Sequence, residues 1–376
     1  MKQIAPKLMA AIVLLATACR KDTPVATQEE ISVQSPDVAT GNGFYLLNEG
    51  DMGLNKASLD RFNYNTGVYY RNIYPQINPT ATKELGDVGN DIQVYGGKLY
   101  AVINLSDKVE VMDVTTAKRV GVIAIQNCRY ITFYNGKAYV SSYASTAGNA
   151  NAGAGFVAEI DTATLQITRQ VNVGRQPEEM AVVNGKLYVA NSGGYTPANY
   201  DRTVSVVDLA SFTETKRIDV AINLHRLKAD RHGDIYVTSR GSYYGVSSRL
   251  FVVNTQTDAV KDSFALGASN LCIQGDSAYV LSTEWNANTN SNTISYALVN
   301  VQTETIISKS FITDGTAASI KVPYGIAVNP VNRDIFVTDA KDYVSSGTLY
   351  CFDKTGKKKW SVTAGDIPAH IAFITK

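Results

Sequence analysis

The chain repeats itself seven times, and this periodicity limits its fold more than any other property. A turn followed by a Tyr or Phe strand recurs as GFYLLN (43–48), GKLYAVIN (97–104), GKAYVSS (136–142), GKLYVANS (185–192), GDIYVTS (233–239), DSAYVLS (276–282) and RDIFVTD (333–339). A second mark, a strand ending in Asp or Asn before a turn that usually bears Thr, falls at Asn63, Asp113, Asp161, Asp208, Asn254, Asn300 and Asp353. Their spacings are 50, 48, 47, 46, 46 and 53 residues. Asp and Asn side chains accept backbone N–H groups two residues on and fix tight turns, so the seven read as structural despite resembling a carboxylate series. Between the marks lie two more short strands per unit, such as YITF and RQVNV, rich in Val, Ile, Tyr and Thr and without a helical stripe. Four strands in a unit of 46 to 53 residues make a propeller blade. The expected fold is all-β: a seven-bladed β-propeller with four antiparallel strands per blade.

Counting strands by type explains how the chain ends. GFYLLN has no inner strand before it, whereas PAHIAFI (368–374) aligns with PYGIAV and PEEMAV and has no strand after it. The last strand is therefore expected to complete the first blade and remove a free, aggregation-prone edge. At the other end, Lys2 and Lys7 precede an apolar stretch from Leu8 to Ala18 that is too short to span a bilayer, the pattern of a secretory signal. Small residues running up to Cys19 resemble a bacterial lipobox, which implies cleavage before Cys19 and its acylation; an ordinary secretion signal with an incidental cysteine is the plainer alternative. Residues 1–18 are thus expected to be a signal, 19–42 a lipidated, flexible polar tether, and 43–376 the propeller. The 35 Lys and Arg fall to 33 without the signal, against 34 Asp and Glu, and this near-zero balance argues against a nucleic-acid partner. Cys128, Cys272 and Cys351 are too few and too scattered for a disulfide framework and read as small buried residues.

In each unit the turns after the first and third strands are short and form a plain face; the loops after the second strand, and those between blades, are long and varied. Binding residues belong on the varied face. Tyr143, Tyr195, Tyr200, Arg240, Tyr243, Tyr244, Trp285, Tyr324, Asp342 and Tyr343 fall there. Aromatic rings among Asn, Ser and Gly form adaptable recognition surfaces, although any one ring also serves by propping its own loop. The residues heading the innermost strands are Asn90, Arg129, Glu178, His225, Ser269, Tyr324 and Ala369, an asymmetric ring suited to one ligand over the axis. No H-x-x-x-H, G-x-S-x-G, phosphate-binding loop or EF-hand loop occurs. Glu178 and His225 are at most fragments of a metal cage of the lactonase or quinoprotein kind, and are more simply hydrogen-bonded mouth residues.

The runs NEGDMGLNKASLD, KELGDVGNDIQVYGGKLYAVIN, RYITFYNGKAYVSSYA, PEEMAVVNGKLYVANSGGY, INLHRLKAD, VTDAKDYVSSGTLYCFD and GDIPAHIAF resemble the surface-exposed cobalamin-binding lipoproteins of gut Bacteroidetes, the BtuG type, among propellers related to the YncE class. The likeness extends in order over residues 43–376. It implies a non-catalytic protein without a catalytic cofactor, lipid-anchored at the outer membrane and facing outward. Cobalamin (vitamin B12) is its implied transported ligand, and a TonB-dependent outer-membrane transporter of the BtuB type its implied partner. Cobalamin is a broad corrin ringed by amides, so aromatic edges with Asn, Ser and Arg partners suit it, and Arg129 or Arg240 would meet its phosphate. Two other readings stay open: a glycan- or peptide-binding surface protein using the same aromatic face, and an enzyme of the lactonase or quinoprotein kind.

Overall fold

In a computed structural model of the protein, residues 29–81, 84–146, 148–151, 153–242, 245–286 and 290–374 are described. The signal and Cys19 lie outside them. The described chain forms seven antiparallel sheets, the seven blades expected from the repeat. In the second blade the strands Gly89–Tyr95, Lys98–Ile103, Lys108–Asp113 and Arg119–Ala124 lie side by side in chain order. The same order holds in the five blades that follow.

Ring closure takes the expected form. Pro368–Ile374 pairs antiparallel with Gly43–Asn48, Gly43 opposite Ile374 and Tyr45 opposite Ala372. One boundary is corrected: the stretch expected to be a tether up to residue 42 is already folded from Glu29. Glu29–Ser32 adds a fifth, outer strand to the first blade against Val68–Arg71. Glu29 pairs with Arg71 at 2.7 Å, the Trp360 indole donates to Gln34 Oε1 at 2.9 Å, and Ile31 and Val33 pack beside Trp360. Apolar Ile31 and Val33 alternating with Glu30 and Ser32 form a short period-two signal hidden in a polar stretch.

Both repeat marks have a physical cause visible in the packing. Six of the seven Asp or Asn anchors accept a backbone N–H two residues on, as Asn63 does from Asn65 at 2.9 Å and Asp161 from Ala163 at 3.0 Å, and Asp208 accepts that of Ser211, three residues on. Each turn then closes through a residue in the left-handed region, including Ala117, Leu165 and Phe212 as well as Gly67 and Gly356. In three blades the Tyr of the first mark reaches that turn in the next blade. Tyr45, Tyr188 and Tyr236 are fully buried and donate their hydroxyls to the carbonyls of Val114, Thr255 and Val301. A large ring fills the space between blades while its polar tip is satisfied. Burial fades outward: Lys186–Asn191 is almost wholly buried, whereas the outer strand Ile167–Asn172 is largely exposed. Cys128 and Cys351 are buried as expected, and Cys272 is partly so.

Candidate functional site

At the mouth end the innermost strands lose regular pairing. Register shifts occur between Gly89 and Asp91, Pro177 and Met180, Leu224 and Leu227, and Pro323 and Ile326. Bulges of this kind re-aim side chains at barrel rims. The freed N–H groups are taken up by hydroxyls of the neighbouring strand: Tyr130 N–H by Ser141 (3.1 Å), Arg226 N–H by Thr238 (3.0 Å) and Gly325 N–H by Thr338 (2.7 Å). Ser141 passes its own proton to the Glu178 carbonyl at 2.9 Å and so fixes the next blade's bulge.

Glu178 is the centre of one half of the mouth. Its carboxylate is fully buried and accepts Arg129 Nε and Nη2 (both 3.1 Å), Arg240 Nη1 (3.2 Å) and the Tyr143 hydroxyl (2.6 Å). Burial pushes its pKa up, but the Arg129 and Arg240 charges and the Tyr143 hydrogen bond outweigh this and hold it below the usual carboxylate range. The Arg129 guanidinium lies over the Tyr143 ring at 4.9 Å, and Tyr195 meets Tyr143 edge-on at 5.2 Å. His225 Nε2 is 2.8 Å from the Tyr130 hydroxyl. Burial, reinforced by Arg240, Arg226 and Arg129, drives the His225 pKa well below its ordinary value, so the ring is neutral.

The opposite half is built by the first and last blades. Tyr324 donates to Glu49 at 3.0 Å, and Tyr343 stands edge-on to Tyr324 at 6.0 Å. His370 lies between Glu49 (3.7 Å) and Asp91 (3.8 Å). Glu49 and Tyr130 are mouth residues that the sequence reading passed over. Glu49 sits in a loop whose Asp and Gly residues read as turn chemistry, and Tyr130 resembles any other strand tyrosine.

The structure brings Arg129, Tyr143, Glu178, Tyr195, His225 and Arg240 together and places Tyr324 with Tyr343. Trp285 belongs to neither group of contacts. The expected loop at 283–292 is instead a continuation of the strands Ser277–Asn286 and Ser291–Asn300, paired out to Asn286 opposite Ser291. This hairpin extension carries Trp285, 56% exposed, opposite Asn292. β-Branched Thr283, Thr293 and Ile294 favour the extended pairing over a loop. Tyr200 is buried rather than presented. Asp342 is not a mouth ligand group: it accepts the Val344 and Ser345 N–H groups and the Ser345 hydroxyl, which lower its pKa to about 2 and make it the cap of its own turn. Tyr243 and Tyr244 lie outside the described residues. Met52, Leu54, Val246 and Val344 add exposed apolar side chains on the same loops. Among the described residues no group of three or more His, Cys, Asp or Glu is placed to hold a metal ion, and no helix is long and apolar enough to cross a membrane.

Ring and mouth together define a seven-bladed β-propeller. The chain belongs to the family described as a domain of unknown function, DUF5074, which it matches over residues 42–372. Comparison with curated proteins gives no match. A quinonprotein alcohol dehydrogenase-like protein from Bacteroides thetaiotaomicron superimposes with a TM-score of 0.58 at 14% identity, covering 89% of this chain and 78% of that one. A functionally unknown protein from Desulfotomaculum acetoxidans gives 0.59 at 12% identity, covering 88% of this chain and 99% of its own. The hydrazine synthase of Kuenenia stuttgartiensis gives 0.55 at 13% identity over 71% of this chain and 76% of that chain. At these identities the likeness establishes the fold alone.

Proposed function

We propose that this protein is a non-catalytic surface lipoprotein that captures cobalamin over its mouth and passes it to a TonB-dependent outer-membrane transporter. The observation that carries the reading is the Glu178 clamp, which holds two arginines and Tyr143 in one fixed array beneath an aromatic rim. A clamp of this kind pre-organises donors without ligand present, which lowers the ordering cost of binding. Arg240, 37% exposed at its side chain against 14% for Arg129, is the better placed partner for the cobalamin phosphate. Tyr195, Tyr324, Tyr343 and Trp285 would border the corrin, with the exposed apolar rim residues facing the transporter. Lipidation at Cys19 would hold the propeller at the outer membrane.

Calorimetric titration of the mature protein with cyanocobalamin tests the reading. One-to-one binding at nanomolar affinity or tighter supports it; no binding at tens of micromolar sinks it. The exposure of Trp285 also favours a sugar-stacking surface, and binding on a glycan array in the absence of cobalamin binding would move the assignment there.

A further inference from the structure

The chain joins the propeller at one particular corner. Glu29 pairs opposite Arg71 and Ser32 opposite Val68. Val68 follows the plain-face turn at Asn63, whereas Arg71 leads into the long loop toward Gly89 on the mouth face. Residues before Glu29 therefore reach the first blade at the mouth end of its outer edge. Cys19 lies only ten residues before Glu29, and a chain of that length spans at most about 35 Å even when fully extended.

Exposed apolar side chains gather at the same corner. Met52 and Leu54, 69% and 51% exposed, stand in a tight turn that Leu54 N–H closes onto the Asp51 carbonyl at 3.1 Å, while Asp87 accepts Gly53 N–H at 3.1 Å. Val344, 65% exposed, stands in the neighbouring loop of the last blade, in the turn capped by Asp342. Hydrogen bonds tie both loops to the point of entry: Arg71 donates to Glu29 at 2.7 Å and to the Ala364 carbonyl at 3.0 Å, and Asp366 accepts from Lys56 at 3.4 Å and from Ser346 at 3.0 Å. The charges among them are matched, Lys56 with Asp51 and Asp366 and Arg71 with Glu29, so this corner favours neither an acidic nor a basic partner.

These observations select an occupant. A lipid surface is the apolar phase that an acylated Cys19 brings within reach, and a tether makes the second contact intramolecular, so a few apolar side chains are enough to hold it. With the mouth turned away from the membrane, the tether would double back along the height of the blade, about 20 Å for a strand of 6 residues, and Met52, Leu54 and Val344 would face water.

We infer that Met52, Leu54 and Val344 form a membrane-contact corner that rests on the lipid surface holding the Cys19 acyl chains, with the mouth of the propeller turned toward that surface. The inference rests on the lipidation proposed at Cys19 and adds an orientation to it. A mouth so turned also faces a transporter embedded in the same membrane.

The test expresses the full chain with its own signal, purifies the membrane form and reconstitutes it in phosphatidylcholine vesicles that carry lipid with a nitroxide quencher at the headgroup. Intact mass first reports acylation at Cys19; an unmodified cysteine would overturn the anchor and this orientation together, whereas cobalamin capture has its own titration. A fluorophore is then placed at Met52→Cys, at Val344→Cys or, in the plain-face turn of the first blade, at Asn65→Cys, each in a Cys272→Ser background. Quenching at positions 52 and 344 is expected to exceed that at 65 by at least about threefold. Met52→Asp with Leu54→Asp keeps the tether but removes the apolar contact, and is expected to cut quenching at 344 by at least about half. Equal quenching at 52 and 65, quenching at neither 52 nor 344, or no change at 344 in the double variant would each overturn the assignment, the second of these leaving the corner to a protein partner.

Discussion

Two charged groups of the innermost strands are satisfied in different ways. Glu178 is enclosed by Arg129, Arg240 and Tyr143, so a fully buried carboxylate is ionised and hydrogen-bonded. Arg226 is almost as buried but rests on the face of Tyr130, with Glu179 and Glu49 as neighbouring charges and its Nε making no hydrogen bond. Both lie on innermost strands, and both depend on the same bulge, with a Ser or Thr of a second strand holding the displaced backbone. The contrast teaches that one local device, repeated by the fold, presents a directly hydrogen-bonded ionic network at one position and, at another, a guanidinium held by a ring face and by charges acting across space.

The contrast can be broken most forcefully at Glu178. Glu178→Ala leaves the largely buried Arg129 and the partly exposed Arg240 without their carboxylate and is expected to cost about 3–5 kcal/mol in urea unfolding; a loss under about 1 kcal/mol would show the clamp to be no more than a surface pair. Next comes Trp285→Ala, which tests the rim rather than the clamp. Its unfolding free energy should stay within about 0.5 kcal/mol of wild type, while cyanocobalamin affinity drops by at least about tenfold. Loss of stability without loss of affinity would reassign this side chain to the fold.

Acid probes the same network. His225 is neutral in the folded protein, with its pKa well below the ordinary value, whereas the unfolded chain takes up a proton near pH 6.5. The unfolded state then binds more protons, so stability falls as pH drops below about 6.5, by up to about 1.4 kcal/mol per pH unit for this one group. Glu178 acts in the same direction lower down: its stabilisation is present above the usual carboxylate range and is lost as pH falls through its depressed folded value. Urea unfolding between pH 7.5 and 5 should show the first limb in wild type and a flatter profile in His225→Gln. Equal slopes in the two proteins would remove His225 from the account.

Smaller effects are expected away from the axis. Asn254→Ala deletes an acceptor for the N–H groups of Gln256 and Thr257 and should cost about 1 kcal/mol. Arg226→Gln should change stability least, since it breaks no hydrogen-bonded ion pair and removes only longer-range attraction to Glu179 and Glu49; a loss as large as that of Glu178→Ala would erase the difference between the two positions.

Much of this architecture was legible because its causes are local. An Asp or Asn that closes its own turn must recur wherever that turn recurs, and a tyrosine bridging to the next blade's turn recurs with it. The strand PAHIAFI could be matched to the first blade for the same reason. The hairpin carrying Trp285 was misjudged because Asn and Ser at its tip read as loop, while the pairing sets Thr283 opposite Ile294 and Glu284 opposite Thr293. The folding of residues 29–42 was missed because Glu29–Ser32 becomes a strand only against an edge that Val68–Arg71 provides. At the mouth, individual residues were found but their network was not. Arg129, Glu178 and Arg240 head or follow strands of three different blades, and side-chain direction there is set by bulges that no residue spacing announces. Nothing in the spacing distinguished Arg226 from Arg129, although Arg129 is hydrogen-bonded to a carboxylate and Arg226 rests on a ring face.

The ring closure also sets an order of events. Gly43–Asn48 is buried along its whole length, yet the strand that covers its inner edge is made some 320 residues later, at Pro368–Ile374. During synthesis this apolar edge therefore waits, open, while six other blades are completed. Only the arrival of the final strand converts a curved row of sheets into a ring, so the last residues to appear decide whether the earliest ones are protected or left to pair with a neighbouring chain.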